Sequence, residues 1–255
     1  MITSLTQLAL ETEMAFWNAM AINKLDSTCV TAISTGLPDA PGLNLVIDAQ
    51  LNAGTVDAEI GRVIDFFAIQ QLAWSWYLGP LTKPYNLAEH LLKHNLVYQE
   101  NFPGMYFNLQ KNFSNKPLND FTIIEAIDLQ QWSEIIGDAF AASDNGIAYG
   151  HLNTGIPHGP DTAFRHYVGY YQDKAVGAGT LFLTDNASMI HNLATKTDFL
   201  KRGFGTAMLS HLMQTAKNLQ KQHCFLDASD SGASLYKKIG FELYCYYNVY
   251  GFSEC

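Results

Sequence analysis

Apolar residues recur at helical spacing in some stretches of the chain and alternate with polar ones in others, and these two periods divide it into elements. Residues 4–22 carry Leu8, Phe16, Trp17 and Met20 on one stripe behind Ser4, which suits an N-cap, and predict a helix. Apolar runs at 29–34 and 43–48 predict strands on either side of the breaker-rich loop Gly36-Leu37-Pro38-Asp39-Ala40-Pro41-Gly42. Ile60, Val63, Ile64 and Phe67 predict a helix over 57–69, and the aromatic run 72–78 predicts a strand that Gly79-Pro80 ends. A short helix over 86–94 and strands at 96–98 and 105–109 complete this half. The polar segment 111–120 reads as a linker.

The second half opens with a strand over 121–127 and a helix over 130–140 that buries Trp132, Ile135, Ile136, Ala139 and Phe140. Gly, Pro, His and Asn crowd residues 143–162, which predicts a long functional or mobile loop. Strands 165–171 and 175–183, joined by Gln172-Asp173-Lys174, form a hairpin. A strand over 189–195 then runs into Leu200-Lys201-Arg202-Gly203-Phe204-Gly205-Thr206. Phe204, Met208, Leu212, Ala216 and Leu219 start the next helix out of that loop. Strand 224–228, helix 231–239, Gly240 as its C′ glycine and strand residues 243–250 follow. Two glycines let the backbone approach a ligand closely, and the first-turn N–H groups of the helix have no intrahelical partners, so this loop reads as a phosphate seat.

Composition narrows the function. With 48% hydrophobic residues the chain can bury a core, and it has no apolar run long enough for a membrane span. Its first residues carry no basic region, so no secretory signal is expected and the chain reads as cytoplasmic. A net charge of −9 argues against nucleic acid as a partner. Within that acidic chain, residues 190–240 hold seven of the fifteen cations: Lys196, Lys201, Arg202, Lys217, Lys221, Lys237 and Lys238. Cys29, Cys224, Cys245 and Cys255 show no paired spacing and read as reduced thiols. His90 and His94 lie one helical turn apart without a third ligand in the sequence, so no metal is expected.

The halves repeat one another: strand 43–48, helix 57–69, strand 72–78 and helix 86–94 parallel strand 188–195, helix 204–219, strand 224–228 and helix 231–239. Asn52-Ala53-Gly54-Thr55 stands in the first half where the second has its glycine loop, so a phosphate ligand is expected only in the second.

Across about residues 121–250 the chain resembles the GNAT family of acetyl-CoA-dependent N-acetyltransferases. Two motifs carry the resemblance. Leu200-Lys201-Arg202-Gly203-Phe204-Gly205 matches the family's R/Q-x-x-G-x-G/A pyrophosphate loop, and Gly232-Ala233-Ser234-Leu235-Tyr236-Lys237-Lys238-Ile239-Gly240-Phe241 matches its A-x-x-L-Y-x-K-x-G-F ending. Leu200 departs from the pattern, since Arg or Gln is usual there. The resemblance implies an α/β (α+β) acyl-CoA N-acyltransferase fold, a mixed central sheet flanked by helices, duplicated in a degenerate first half. It implies a degenerate domain over 1–115 and a catalytic domain over 121–255.

The resemblance also implies acetyl-CoA as co-substrate and direct attack by a small-molecule or peptide amine, in a monomer or homodimer. Cofactor contacts are expected from Leu193, Ala194, Thr195, Lys201, Arg202, Gly203, Phe204, Gly205, Thr206 and Ser229, with Ser229 open to a helix-capping reading as well. Tyr236 stands at the general-acid position, and His191 is the first candidate for a base, with His151, His158 and Glu125 behind it. The rival expectation is a non-catalytic CoA-binding or interaction module on the same fold.

Overall fold

The computed structural model describes residues 4–114, 117–140 and 143–253, with backbone alone for 143–147 and 230–231. The chain groups into two compact units: Met1–Gly104 together with Tyr244–Cys255, and Met105–Leu243. The expected linker at 111–120 falls within the second unit's span, and the last nine described residues of the closing strand belong with the first.

The first unit opens with α1 (Leu5–Met20), whose N-cap Ser4 accepts a hydrogen bond from the Gln7 N–H at 3.1 Å. It continues with β1 (Asn23–Lys24), β2 (Thr31–Ser34), β3 (Leu45–Ile47), α2 (Val56–Gln70), β4 (Ser75–Leu78), α3 (Leu87–Lys93) and β5 (Leu96–Asn108). β3 and β4 pair in parallel, Leu45 opposite Ser75 and Val46 opposite Trp76. Val46, Ile60, Val63, Phe67, Trp76 and Leu91 fill the core of this unit, as the apolar stripes require. Two separate strands are expected within 96–109, but one continuous strand forms. Gly104 makes this possible: a Cβ there would lie 2.7 Å from the Cys245 Sγ and 2.8 Å from the Tyr244 ring.

The second unit holds β6 (Phe121–Glu125), α4 (Gln130–Ala139), α5 (Ser143–Thr154), β7 (Phe164–Tyr171), β8 (Lys174–Leu183), β9 (Ala187–Thr195), α6 (Phe204–Asn218), β10 (His223–Asp227), α7 (Asp230–Ile239) and the start of β11 (Glu242–Phe252). Its sheet runs β10-β9-β8-β7-β6. β9 and β10 are parallel, and the other neighbours are antiparallel. Met208, Leu212, Met213 and Ala216 of α6 pack on Leu181, Ile190, Cys224 and Leu226 of the sheet. Met105 and Phe107 from the end of β5 join the same core.

Much of the expected loop at 143–162 is helix α5. Its breaker-like residues are packing residues: a Cβ on Gly150 would fall 1.7 Å from the Ser133 Oγ of α4, so glycine lets α5 lie directly against α4. Asn153 is buried and donates back to the Tyr149 carbonyl at 2.8 Å, which suits a helix interior.

The two units also repeat their backbone signs. Left-handed residues occur near the end of the first parallel strand (Asp48, φ 50°; Asn192, φ 55°), after the long helix (Gln71, 56°; Gln220, 59°) and after the short one (Asn95, 64°; Gly240, 109°). That correspondence is consistent with duplication. Of the cysteines, Cys29 and Cys224 are free thiols, Cys245 is buried, and Cys255 lies outside the described residues. No described helix is long and apolar enough to cross a membrane.

His166 of β7 is fully enclosed, and burial, with His158 nearby, pushes its pKa from 6.5 down to about 3. Unfolding restores the ordinary value, so the unfolded chain takes up the proton first. The stability held by the neutral imidazole is therefore complete above about pH 6.5 and is lost as pH falls toward 3. Urea titrations should show the unfolding free energy falling between pH 6.5 and 4. In His166→Gln that slope should be shallower by up to about 1.4 kcal/mol per pH unit; an unchanged slope would remove His166 from the pH dependence.

Candidate functional site

The carboxyl ends of parallel strands are where open α/β sheets accept ligands, because the following helices begin there. Here these are the ends of β9 and β10, followed by the starts of α6 and α7. The β9–β10 register runs from Ala187 opposite His223 to Met189 opposite Phe225, while β9 continues to Thr195 and β10 ends at Asp227. On its other side β9 keeps β8: Thr180 faces His191 and Ala178 faces Ala194. Two steps on β8 thus match three on β9, so β9 carries one extra residue, a bulge, with Asn192 in the left-handed region at φ 55°. The Asn192 amide donates to the Tyr149 hydroxyl of α5 at 3.1 Å and to the Thr180 Oγ1 at 3.4 Å, which pins the bulge.

Beyond the bulge the Lys196 N–H returns to the Val176 carbonyl at 2.9 Å, and a short 3-10 turn spans Thr197–Phe199. The Asp138 carboxylate of α4 accepts from both the Thr197 N–H (2.7 Å) and its hydroxyl (3.1 Å), anchoring the turn. Gly203, at φ 90°, is the N-cap of α6, which has neither a side-chain cap nor an acidic residue in its first turn. The N–H groups of Phe204, Gly205 and Thr206 thus face outward with the positive end of the helix dipole behind them.

The corresponding helix start in the first unit is different. α2 carries Asp57 and Glu59 in its first turn. The Asp57 Oδ1 lies 2.9 Å from the His90 Nδ1 and 3.2 Å from the His94 Nε2, and the bond from His90 holds its carboxyl below the usual range. A carboxylate already stands in the first turn of this helix, and the paired histidines are accounted for by it. Among the described residues, no group of three or more His, Cys, Asp or Glu side chains is placed to hold a metal ion.

The side chains of the loop in the second unit point elsewhere than the motif suggests. Leu200 is 52% exposed. The Arg202 guanidinium lies over the rings of Tyr171 (5.1 Å), Phe199 (5.3 Å) and Phe204 (5.6 Å), a cation–π box worth about 0.5–1 kcal/mol at an exposed site. Arg202 would have to leave this box to stand in for the arginine or glutamine absent at position 200. Lys201 is exposed, in the left-handed region at φ 60°. The loop therefore offers main-chain N–H groups before side chains.

Tyr236 on α7 is buried against Phe241, ring centroids 6.0 Å apart, and burial pushes its pKa up to about 12. Its ring leans back over its own helix: a Cβ on Gly232 would lie 3.2 Å from the phenol oxygen. Ser229 caps this helix, accepting from the Gly232 N–H at 3.2 Å. A Cβ on Gly205 would meet the Thr195 Oγ1 at 3.6 Å and the Leu235 Cδ2 at 3.7 Å, so the end of β9, the start of α6 and α7 converge. Ala194 is buried there, and Leu193 and Thr195 are half-buried.

The candidate bases are placed less favourably. His191 sits on β9 opposite Thr180, and burial pushes it down to about 3. It is neutral at pH 7, and taking a proton from an alkylammonium near 10.4 is steeply uphill. Glu125 is held by Arg165 in two bonds of 2.8 and 2.6 Å. Each ring nitrogen of His158 faces a backbone carbonyl, Ile156 at 2.8 Å and Ile127 at 2.9 Å. His151 is exposed on α5. Asp138, Tyr149 and Thr180 escape sequence reasoning, because ordinary polar residues on a helix or strand carry no local sign of what they hold.

Residues 162–243 match the family model described as an acetyltransferase (GNAT) domain. No curated protein matches the chain. Among solved structures, a GCN5-related N-acetyltransferase from Kribbella flavida aligns with TM-score 0.76 at 14% identity over 99% of this chain and 98% of that one. A GCN5-related N-acetyltransferase from Sphaerobacter thermophilus gives TM-score 0.58 at 12% identity, covering 87% and 76% of the two chains. A tandem GNAT protein from the clavulanic acid biosynthesis pathway gives 0.57 at 10% identity, covering 88% and 79%. These likenesses establish the GNAT fold, a mixed sheet flanked by helices, and the match to the family's domain lies within the second unit, at residues 162–243.

The geometry separates the two glycines of the loop. Gly203→Ala forces a Cβ into a positive-φ cap and should destabilise the chain by about 1–2 kcal/mol. In Gly205→Ala the new methyl meets only ordinary contacts, so stability should change by less than about 0.5 kcal/mol. Denaturant titration of both variants checks this; equal losses would contradict the assigned cap.

Proposed function

We propose that this chain, a GNAT-fold protein with the family's acetyltransferase domain at residues 162–243, transfers an acetyl group from acetyl-CoA to an amine by direct attack. One observation carries the reading: an uncapped, acid-free helix start on α6 converges with the end of a bulged strand and with Leu235 of α7, the helix that also bears the buried Tyr236. The amides of Phe204 to Thr206 are assigned to the pyrophosphate, and the edge of Leu193-Ala194-Thr195 to the amide-rich pantetheine. An N–H on the same strand end is aimed where charge develops on the thioester oxygen.

Tyr236 is the group we assign to the departing sulfur. It is protonated throughout the physiological range. A thiolate whose conjugate acid lies near 8.5 does not take a proton downhill from a phenol near 12, so Tyr236 acts chiefly as a hydrogen-bond donor to sulfur. His191, neutral at pH 7, is assigned a place in the sheet beside the site; the acceptor attacks as its neutral amine, and the proton its nitrogen sheds as the amide forms goes through solvent to the departing thiolate. The acceptor is a small-molecule or peptide amine.

A second reading, a CoA-binding module without turnover, is favoured by the one departure from the motif: Leu200 offers no polar group and Arg202 is held by aromatic rings. Both readings require the cofactor seat.

Acetyl-CoA at a hundred times its Kd should stabilise the chain by about 2.7 kcal/mol, read as a rise in Tm. Gly205→Glu, which places a carboxylate at the helix start, should abolish the rise; no rise in the parent chain defeats the proposal. In a panel of primary amines, Tyr236→Phe should lower kcat by about tenfold or more while leaving the acetyl-CoA Kd within about twofold. Unchanged kcat would take Tyr236 out of the reaction, and absent turnover across the panel with binding intact would favour the second reading.

A further inference from the structure

We propose that the free edge of β6 is a docking site for an extended, positively charged peptide segment, which adds to the sheet of the second unit as a strand. This surface is separate from the acyl-transfer site, and the inference stands without it.

The strand order of this unit ends at β6, whose one strand neighbour among the described residues is β7. The hydrogen bonds at its ends set which main-chain groups point outward. Gln172 N–H donates to the Asp120 carbonyl at 3.3 Å, and Ala126 N–H donates to the His166 carbonyl at 2.8 Å. With Phe121 opposite Tyr171 and Glu125 opposite Tyr167, the even-numbered positions of β6 turn their peptide groups toward β7. Ile123 and Glu125 therefore turn theirs away from it, two residues apart, the spacing that one added strand engages.

Two clefts lie on the sheet face over β6 and β7, beside this edge. One, about 690 Å³, is lined by Asp120, Thr122, Ile124, Tyr170, Gln172 and Asp173. The other, about 500 Å³, includes Ile124, Asp128, Gln131, Glu134 and Tyr170. Ile124 and Tyr170 line both, so the clefts form one groove along the strand. Ile124 is 53% exposed in its middle.

Charge selects the occupant. Asp120 and Asp173 stand toward one end of the groove and Asp128 and Glu134 toward the other, with no lysine or arginine among its lining residues. Glu125 is neutralised by Arg165. A second copy of this chain, docked edge to edge, would bring the same four carboxylates against themselves, within a chain of net charge −9. A segment with cations near both ends and an apolar residue between them is complementary. At about 3.4 Å per residue, β6 spans about 17 Å, which suits five or six residues.

The test uses a six-residue peptide of alternating arginine and valine, acetylated at its amino end and amidated at its carboxyl end. It carries no amine and cannot be an acetyl acceptor. Binding to the full chain, followed by fluorescence anisotropy, should be saturable and should weaken with added salt. N-methylation of alternate residues of the peptide should weaken it at least about tenfold, because it removes the main-chain donors that a strand pairing needs. Ile123→Pro, which deletes an outward N–H that β7 does not use, and the double change Asp128→Lys with Glu134→Lys should each do the same. Binding indifferent to N-methylation, or no binding at millimolar peptide, overturns the proposal. A concentration-dependent dimer that Ile123→Pro abolishes would assign the edge to a second copy and overturn it equally.

Discussion

The extra residue in β9 shapes the strand end at which we propose that the cofactor binds. With Thr180 opposite His191 and Ala178 opposite Ala194, β9 bends at Asn192, just past the last position at which it is in register with β10. A regular strand would carry the parallel pairing onward and close the gap between the starts of α6 and α7. The bulge costs backbone energy, because a residue with a side chain is held at φ 55°; asparagine tolerates that region better than most. Its amide is held by Tyr149 from α5 and Thr180 from β8. Packing of α5 on α4 through Gly150 thus reaches the strand edge that the cofactor would use.

Electrostatics then chooses between two similar helix starts. Both units present a parallel strand pair followed by a long helix, and both have a left-handed residue near the end of the first strand. In the first unit Asp57 and Glu59 place negative charge at the helix start, and His90 and His94 hold Asp57 there. In the second the start is free of acid and preceded by Gly203. An anion gains from the N–H groups and dipole of α6 and meets a carboxylate at α2. A repeated order of elements need not repeat the charge at the helix start.

What the sequence shows and what it hides divide along a physical line. Apolar periodicity locates the helices over 57–69, 130–140 and 204–219 to within a residue or two of α2, α4 and α6, because each has a buried stripe. Gly203 and Gly240 are legible because both take positive φ at helix ends. α5 is hidden because its glycine serves interhelical contact, while local rules read Gly, Asn and His as loop residues. Asp57 is invisible as the partner of His90 and His94, since it lies 33 and 37 residues away in sequence. The state of His191 is hidden too: its position in a strand is readable, but burial, which drives it to about 3, is set by tertiary packing. Tyr236 is singled out by its motif, and the structure adds that burial keeps its phenol protonated.

The central claim is that this chain has one anion seat for a CoA-type ligand, at the end of β9 and the start of α6. Amide hydrogen exchange with and without CoA tests it most directly, because the claim concerns main-chain N–H groups. The account predicts slowed exchange in residues 193–206 on adding CoA, with residues 48–57 unchanged. Slowed exchange at 48–57, or none at 193–206 under saturating CoA, would contradict it.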